Sequence, residues 1–248
     1  MKNQIIILAG GKGTRMKSDR PKVLTKIKDT AIVNHLLKNV VSVCEKPVIV
    51  VGYKGEEVIK ETGNKYRYVW QKKQLGTGHA LMRVKEEMKN GKAENIIVVP
   101  GDHPFLSAKT INHLIKSHIR RNAVISAAVI KVDSFEGLNS GFYDCGRIIR
   151  NQNQEIEGII ELKDADEKQR QIKEVNVSYY CFKADWLWGN IDKLKNNNKA
   201  KEYYLTDMVK IAVKQGEKVN SMVIRNSLEG LGVNTPEQLR TAKSSLRS

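Results

Sequence analysis

Residues 8–16 read Leu-Ala-Gly-Gly-Lys-Gly-Thr-Arg-Met, and residues 21–24 read Pro-Lys-Val-Leu. This stretch directly follows a short apolar run that begins at Ile5 and predicts a buried strand. Glycines let backbone N–H groups approach an anion closely, and the two lysines and the arginine add positive charge around them. The sequence therefore predicts a phosphate-binding loop immediately after the first strand.

The spacing of the glycines argues against two common phosphate-binding loops. A Walker A loop needs the pattern GxxxxGK[ST], which this stretch does not contain. The dinucleotide-binding pattern GxGxxG is also incomplete, because Met16 stands where its third glycine belongs. We therefore expect a phosphate-binding loop of another type.

Short apolar runs alternate with helix-like stretches through the first half of the chain. The runs predict strands at residues 5–8, 48–51, 68–70, 96–99 and 124–129. Apolar residues spaced three and four apart predict helices at residues 30–44, 56–62, 78–88 and 108–121. This alternation predicts an α/β fold with a mainly parallel, Rossmann-like sheet, which binds its ligands at the carboxyl ends of the strands.

The pattern changes after about residue 134, where glycines interrupt a polar stretch. We expect an inserted, lid-like subdomain over about residues 135–182, with a hairpin formed by residues 147–150 and 158–161. Further predictions are strands at residues 174–182 and 219–224, helices at 184–194 and 204–213, and a C-terminal helix at 235–248. The main domain is then expected to cover residues 1–234.

The composition indicates a folded protein with anionic partners. Lysine and arginine total 43 against 27 aspartates and glutamates, which gives a net charge of +16 and suggests phosphates or nucleic acid as ligands. No arginine-rich tract or aromatic-basic repeat is present, so nucleic acid is the weaker interpretation. Three cysteines without CxxC spacing suggest neither a disulfide framework nor a zinc site, and they fit a cytoplasmic protein. The N-terminal apolar run is too short for a signal peptide or a membrane span.

At the glycine-rich loop and the Pro-Lys pair, the chain resembles the sugar nucleotidyltransferase, or nucleotide-sugar pyrophosphorylase, family. Its likeness is greatest to the uridyltransferases that make UDP-N-acetylglucosamine. The resemblance continues through Gln-Leu-Gly-Thr-Gly-His-Ala at 74–80, Gly-Asp-His-Pro at 101–104, Glu-Leu-Lys-Asp-Ala at 161–165, Glu-Val-Asn at 174–176, Glu-Tyr-Tyr-Leu-Thr-Asp at 202–207 and Gly-Val-Asn at 232–234. It therefore spans nearly the whole chain.

The resemblance implies where the nucleotide binds. Its base-reading glutamine precedes the Gly-Thr pair by five residues, which selects Gln71 and leaves Gln74 as the second choice. A glutamine amide offers one acceptor and two donors, enough to pair with a uracil edge. The implied nucleotide-binding residues are Leu8, Ala9, Gly10, Gly11, Lys12, Gly13, Gln71, Gln74, Gly76 and Thr77. The implied catalytic residues are Arg15 and Lys22, while His79 is expected to pack or to form hydrogen bonds.

A metal site is expected at the ligand edge of the parallel sheet. Asp102 follows the strand at 96–99, where a carboxylate emerges at the ligand edge of a parallel sheet, and Mg²⁺ prefers such oxygen ligands. The resemblance pairs Asp102 with Asn234 around one Mg²⁺. It also assigns the sugar to Gly146, Glu161 and Asn176, in the inserted region. Thr25, where relatives often have histidine, and Val177-Ser178, where they have Thr-Gly, depart from the family pattern.

The expected activity is transfer of a uridylyl group from UTP to a sugar 1-phosphate, giving a UDP-sugar and pyrophosphate. N-acetylglucosamine 1-phosphate is the first choice of acceptor. The alternatives are the same chemistry with dTTP, CTP or glucose 1-phosphate, a non-catalytic nucleotide-binding regulatory protein, and a nucleic-acid binder. Expected partners are thus a nucleoside triphosphate and a sugar 1-phosphate, with no membrane and with a homo-oligomer left open. No hexapeptide repeat follows Asn234, so no acetyltransferase activity is expected.

Overall fold

The computed structural model describes residues 2–16, 18–87 and 91–245, apart from the side chain of Leu138. The strands are β1 (Asn3–Leu8), β2 (Lys26–Ile27), β3 (Thr30–Ala31), β4 (Val48–Val51), β5 (Arg67–Trp70), β6 (Asn95–Pro100), β7 (Ile125–Lys131), β8 (Arg147–Arg150), β9 (Ile156–Ile160), β10 (Glu174–Lys183) and β11 (Val219–Val223). The α-helices are α1 (Ile32–Val40), α2 (Gly55–Thr62), α3 (Thr77–Glu87), α4 (Ala108–Arg121), α5 (Glu167–Arg170), α6 (Ala184–Asn190), α7 (Asp207–Lys214) and α8 (Pro236–Ser245).

The central sheet is mixed but mostly parallel. Its strand order is β11-β7-β10-β6-β1-β4-β5. Strands β6, β1, β4 and β5 run parallel, and so do β7 and β11, whereas β10 lies antiparallel between β6 and β7. The predicted α/β class and the mainly parallel sheet are confirmed.

The sheet is covered on both faces, which explains the nearly continuous apolar runs of its central strands. In β1, Ile5 and Ile7 belong to one core cluster while Ile6 belongs to the other, as alternation along a strand requires. All four residues of β4 are likewise buried. The carboxyl ends of β1, β4, β5 and β6 therefore meet along one edge of a rigid sheet.

Several helices differ in length from the sequence prediction. Helix α1 begins at Ile32 rather than at residue 30, because Thr30 and Ala31 pair with β2 in a hairpin. Helix α7 begins at Asp207 because the residues before it bond elsewhere: the Tyr203 N–H donates to the Leu75 carbonyl, and the Leu205 N–H donates to Thr77. Helix α6 ends at Asn190 and continues as a 3₁₀ turn. The predicted ends at residues 88 and 246–248 lie outside the described residues.

The inserted region is attached to the main body along its length. Strands β8 and β9 form the predicted hairpin, and Arg147 of β8 pairs with Val175 of β10. Ile148 and Ile159 of the hairpin share a core cluster with Met208 of α7. A separate lid subdomain is therefore not confirmed. In the described part of the chain, each helix is too short or too polar to cross a bilayer.

A buried histidine makes stability depend on pH. Burial lowers the pKa of His118 in α4 from 6.5 to about 4, and its ring bonds to the Ser126 hydroxyl. In the unfolded chain the ring takes up a proton below pH ~6.5, so the stability contributed by neutral His118 is full above that pH and declines as pH falls toward the folded pKa. Between pH ~7 and ~5 we expect it to account for a loss of about 2 kcal/mol.

Urea unfolding of His118→Gln, which cannot titrate, checks this expectation. The variant should lose less stability than the wild type over that pH interval. His113→Gln is the matched control, because His113 lies on the exposed side of the same helix. Equal losses in the wild type and in His118→Gln would contradict the assignment.

Candidate active site

A cleft of about 560 Å³ opens at the carboxyl ends of the parallel strands. It is lined by every residue that the sequence assigned to a site except Ala9, namely Leu8, Gly10, Gly11, Lys12, Gly13, Arg15, Lys22, Gln71, Gln74, Gly76, Thr77, Asp102, Gly146, Glu161, Asn176 and Asn234. Ala9 is buried beneath the loop, where its N–H donates to the Val50 carbonyl at 2.8 Å. The structure thus brings the dispersed candidates together.

The glycine-rich loop leaves β1 and turns sharply at Gly13. Gly13 has φ +63°, and a Cβ there would lie 2.6 Å from the Cβ of Lys22. Only glycine fits this position, because the conformation strains other residues and the space is already filled. A 3₁₀ turn over Thr14–Met16 then buries Met16 and leaves Arg15 beside the cleft. Gly13 therefore lets the loop and the Lys22 backbone lie side by side.

The Lys22 ammonium lies between two oxygens contributed by distant parts of the chain. Its Nζ donates to Asp102 Oδ2 at 2.6 Å and to Asn234 Oδ1 at 2.5 Å. Burial alone would raise the pKa of the Asp102 carboxyl, but Lys22 and further contacts bring it below the usual value. Asp102 is therefore ionised and paired with a cation inside the protein.

The segments that carry Asp102 and Asn234 are also bonded directly. The Val233 N–H donates to the Asp102 carbonyl at 2.9 Å. The Asn234 N–H donates to Gln238 Oε1 at 2.7 Å, which ties this segment to α8. The positions of the two oxygens thus depend on backbone contacts as well as on Lys22.

His103, the residue after Asp102, is held in the protein interior by a hydrogen-bonded tyrosine. Its Nδ1 lies 2.6 Å from the Tyr179 hydroxyl, which itself donates to the Glu229 carbonyl at 2.6 Å. Burial lowers the pKa of His103 to about 4, so the ring is neutral at physiological pH. Because the Tyr179 hydroxyl donates its proton to the Glu229 carbonyl, the hydrogen bond between the two side chains must be donated by His103 Nδ1–H to the Tyr179 oxygen. The sequence carried no signal that singled out Tyr179.

One wall of the cleft is built around Gln71 and is here called the base-side wall, because its residues are those expected to contact the nucleotide base. Its Nε2 donates to the Gly76 carbonyl at 2.9 Å and lies 3.1 Å from His79 Nδ1. Gln74 donates from Nε2 to the Gln71 carbonyl at 2.9 Å, so its amide supports the backbone of Gln71. The Gln71 Oε1 faces the loop, 3.2 Å from where a Cβ on Gly10 would lie. The expected hydrogen-bonding role of His79 agrees with this geometry.

The opposite wall comes from the inserted region. The Asn176 N–H donates to the Gly146 carbonyl at 2.9 Å, and its side-chain Nδ2 donates to the Tyr180 hydroxyl at 2.7 Å. Glu161 accepts a hydrogen bond from Thr206 at 3.0 Å, and burial raises the pKa of its carboxyl. Carboxylate, amide and hydroxyl groups therefore converge on this side.

One residue that lines the cleft and one that packs behind it carried no sequence signal strong enough to identify them. Asp144 forms an ion pair with Arg15 across the mouth of the cleft. Gly52 lies behind the loop, where a Cβ would be 2.6 Å from the Gly10 carbonyl oxygen. Proximity to Gly146 in the sequence could have suggested Asp144, but Gly52 becomes visible only from the packing of β4 against β1.

Comparison with known proteins identifies the relatives of this fold. The sequence model described as the MobA-like NTP transferase domain matches residues 5–188. The bifunctional protein GlmU of Streptococcus agalactiae is 38% identical over 248 residues, and that of Streptococcus thermophilus is 39% identical over 249 residues. Each alignment covers 100% of this chain and 52% of the relative, so the chain spans about half the length of the curated relatives it matches.

Solved structures share the fold at lower identity. A CMP:2-keto-3-deoxy-manno-octonic acid synthetase complexed with CTP gives a TM-score of 0.69 at 15% identity, covering 100% of this chain and 99% of that one. A Bacillus anthracis protein described as a glucose-1-phosphate thymidylyltransferase gives 0.74 at 19% identity, covering 99% and 96%. These structures bear on the fold alone.

The glycines of the cleft should differ sharply in their tolerance of a side chain. Gly76 has φ +103°, and a Cβ there would lie 2.6 Å from the Tyr203 carbonyl oxygen, whereas a Cβ on Gly11 would meet nothing within 4 Å. We expect Gly76→Ala to lower the free energy of unfolding by about 2 kcal/mol or more and Gly11→Ala to change it by less than about 0.5 kcal/mol, as measured by urea titration. A stable Gly76→Ala protein would contradict this packing.

Proposed function

The chain belongs to the MobA-like NTP transferase domain family and is a nucleotidyltransferase, and on that premise we propose that it transfers a uridylyl group from UTP to a sugar 1-phosphate. The proposed acceptor is N-acetylglucosamine 1-phosphate, and the products are the UDP-sugar and pyrophosphate. One observation carries the proposal: Lys22, Asp102 and Asn234 converge beside the glycine-rich loop in the same cleft. The relation to GlmU proteins, together with three free cysteines, also favours a cytoplasmic location.

The base-side wall favours uracil or thymine over cytosine, because only uracil and thymine carry an N3–H donor. The amide nitrogen of Gln71 is already hydrogen-bonded to the Gly76 carbonyl and to the His79 ring. Its amide oxygen is therefore available to accept a hydrogen bond from the base. The N3–H of uracil is such a donor. Gly76 and Thr77 would flank the base at the start of α3, and Gln74 would act through the Gln71 backbone.

The proposed placement of the sugar rests on the opposite wall. Glu161 would accept from sugar hydroxyl groups, while the Asn176 side chain and the backbone at Gly146 would meet the remaining polar groups. The same chemistry with glucose 1-phosphate, or with CTP or dTTP as donor, remains the main alternative. Relatives of this fold are described with CTP or as thymidylyltransferases.

The proposed reaction is a direct displacement. An oxygen of the sugar 1-phosphate forms a bond to the α-phosphorus of UTP, the bond from that phosphorus to the bridging oxygen breaks, and pyrophosphate leaves. Both reactants are already anionic at neutral pH, so the protein has mainly to hold them together and to neutralise charge. Lys22 would hold the α-phosphate, and Lys12 and Arg15 would stabilise the leaving pyrophosphate. Arg15 must exchange Asp144 for phosphate to do so.

Asp102 and Asn234 fit a magnesium ion. Both present oxygen atoms, the ligand type that Mg²⁺ prefers, and both already share the positive charge of the Lys22 ammonium. A donor set of two protein oxygens is typical of magnesium sites that phosphate and water complete. When bound, the ion would neutralise phosphate charge and align the two reactants.

Pyrophosphate release tests the proposal directly. Release should be measured for UTP, CTP and dTTP, each with N-acetylglucosamine 1-phosphate and with glucose 1-phosphate, in the presence of Mg²⁺. We expect the highest kcat/KM for UTP with the N-acetylated sugar. Lys22→Met and Arg15→Ala should each lower kcat by about 10²-fold or more, whereas Lys26→Met, an exposed lysine of β2, should not. No release with any pair would overturn the proposal, and a different best pair would redirect it.

The shared position of Lys22 predicts its effect on metal binding. Removing the ammonium frees the Asp102 and Asn234 oxygens from a competing cation, so Lys22→Met should bind Mn²⁺ at least about tenfold more tightly than the wild type without nucleotide. Isothermal titration calorimetry measures the affinity. Lys12→Met is the charge-matched control, because Lys12 lies over the Tyr53 ring, whereas Lys22 bonds to Asp102 and Asn234. Weaker or unchanged Mn²⁺ binding in Lys22→Met would contradict the shared site.

A further inference from the structure

We propose that Arg147 is a positioning residue that fixes the acceptor-side wall of the cleft by holding residues 143–146, here called the wall loop. The inference rests on the proposed function, since it assigns this wall to the sugar phosphate. Arg147 does not belong to the described residues that line the cleft. It therefore acts through the wall loop rather than by touching a substrate.

Arg147 is a charged side chain with no exposed surface. Among the described residues, no carboxylate lies within ion-pair distance of it. Its guanidinium instead donates to three backbone carbonyls: Nη2 to Tyr143 at 2.9 Å, Nη1 to Cys145, and Nε to Arg170 at 3.2 Å. A buried charge is costly unless its donors are satisfied, and here backbone carbonyls satisfy them.

Two aromatic rings fix the plane of the guanidinium. Its carbon lies 4.6 Å from the centre of the Phe135 ring and 5.5 Å from that of Tyr143. The planar, rigid fork of arginine suits this combination of ring contact and several carbonyl acceptors, which lysine cannot reproduce. The Phe135 ring therefore orients the fork from outside the wall loop, and the Tyr143 ring contacts it from within the loop.

Two of the carbonyls that Arg147 holds, those of Tyr143 and Cys145, belong to the loop whose residues face the cleft. Asp144, Cys145 and Gly146 all line it. The Gly146 carbonyl accepts from the Asn176 N–H, and a Cβ on Gly146 would lie 3.6 Å from Glu161 Oε2. A shift of the wall loop would consequently move the backbone that Gly146 offers and its spacing from Asn176 and Glu161.

The wall loop is also anchored to the rest of the inserted region. Arg170, whose carbonyl accepts from Arg147 Nε, is the last residue of α5, and a capping box of Asp166 and Gln169 fixes the first turn of that helix. The nucleotide side of the cleft has separate supports in Gln74, Tyr203 and Val50. Loss of Arg147 should therefore affect acceptor binding and spare nucleotide binding.

The test compares Arg147→Lys with Arg150→Lys. Arg150 lies on the same strand and bonds to Glu174 and Ser221 rather than to the wall loop, which makes it the matched control. We expect Arg147→Lys to raise the KM for the sugar 1-phosphate about tenfold, with the KM for UTP changed less than about twofold, because a small misplacement of binding groups is costly. Arg150→Lys should change neither constant. An unchanged acceptor KM, or an equal rise in both constants, would overturn the proposal.

Hydrogen–deuterium exchange separates this inference from the proposed function. Exchange at the amides of residues 143–146 should be faster in Arg147→Lys than in the wild type, and exchange at residues 8–16 should not change. A wild type without turnover would refute the proposed function, while the exchange data would still decide the role of Arg147. If Arg147→Lys does not fold, Phe135→Leu removes one ring contact of the guanidinium together with the edge contact between Phe135 and Tyr143. Faster exchange that extends to residues 145 and 146 supports the role, and exchange that is unchanged or faster only at Tyr143 overturns it.

Discussion

The ammonium of Lys22 joins three parts of the chain that are far apart in sequence, and the arrangement of the cleft depends on it. Asp102 is 4% exposed, and a carboxylate buried to that extent needs a cation or several donors to remain ionised. Lys22 supplies the cation and Asn234 shares it. The loop after β1, the end of β6 and the segment before α8 thereby converge on one charge.

This convergence also requires close backbone approach. Gly13 admits the Lys22 side chain, Gly101 lies beneath the end of β1, and Gly232 packs against the His103 ring. Each glycine stands where one of the converging segments meets another. The glycine-rich character of the cleft therefore serves its internal packing as much as any contact between the backbone and a phosphate.

Much of this arrangement could be predicted from the sequence because the signals were local. The apolar run at 48–51 and the periodic stretch at 108–121 coincide with β4 and α4, since burial on both faces or on one face leaves a clear pattern. The residues assigned to the site, apart from Ala9, meet in one cleft because they follow the carboxyl ends of parallel strands or match family motifs. Their chemical roles remain predictions.

Features set by contacts between distant segments could not be predicted. The apolar pattern of β10 does not reveal that it runs antiparallel between β6 and β7. The three carbonyls that accept hydrogen bonds from Arg147 come from a loop and from the end of α5, so the sequence of the hairpin does not reveal that this guanidinium is buried. Tertiary contacts also shortened α1 and α7 and joined the expected lid to the main core.

The central place of β10 has a consequence for synthesis on the ribosome. Strands β1, β4, β5 and β6 can pair once about the first hundred residues have emerged. The free edge of β6, however, has no partner until residues 174–183 arrive, and β7 can join the sheet only through them. An unpaired strand edge invites pairing with other chains. The nascent protein is thus exposed to misassembly until β10 is made, and chaperone protection during that interval would matter more than at any later stage.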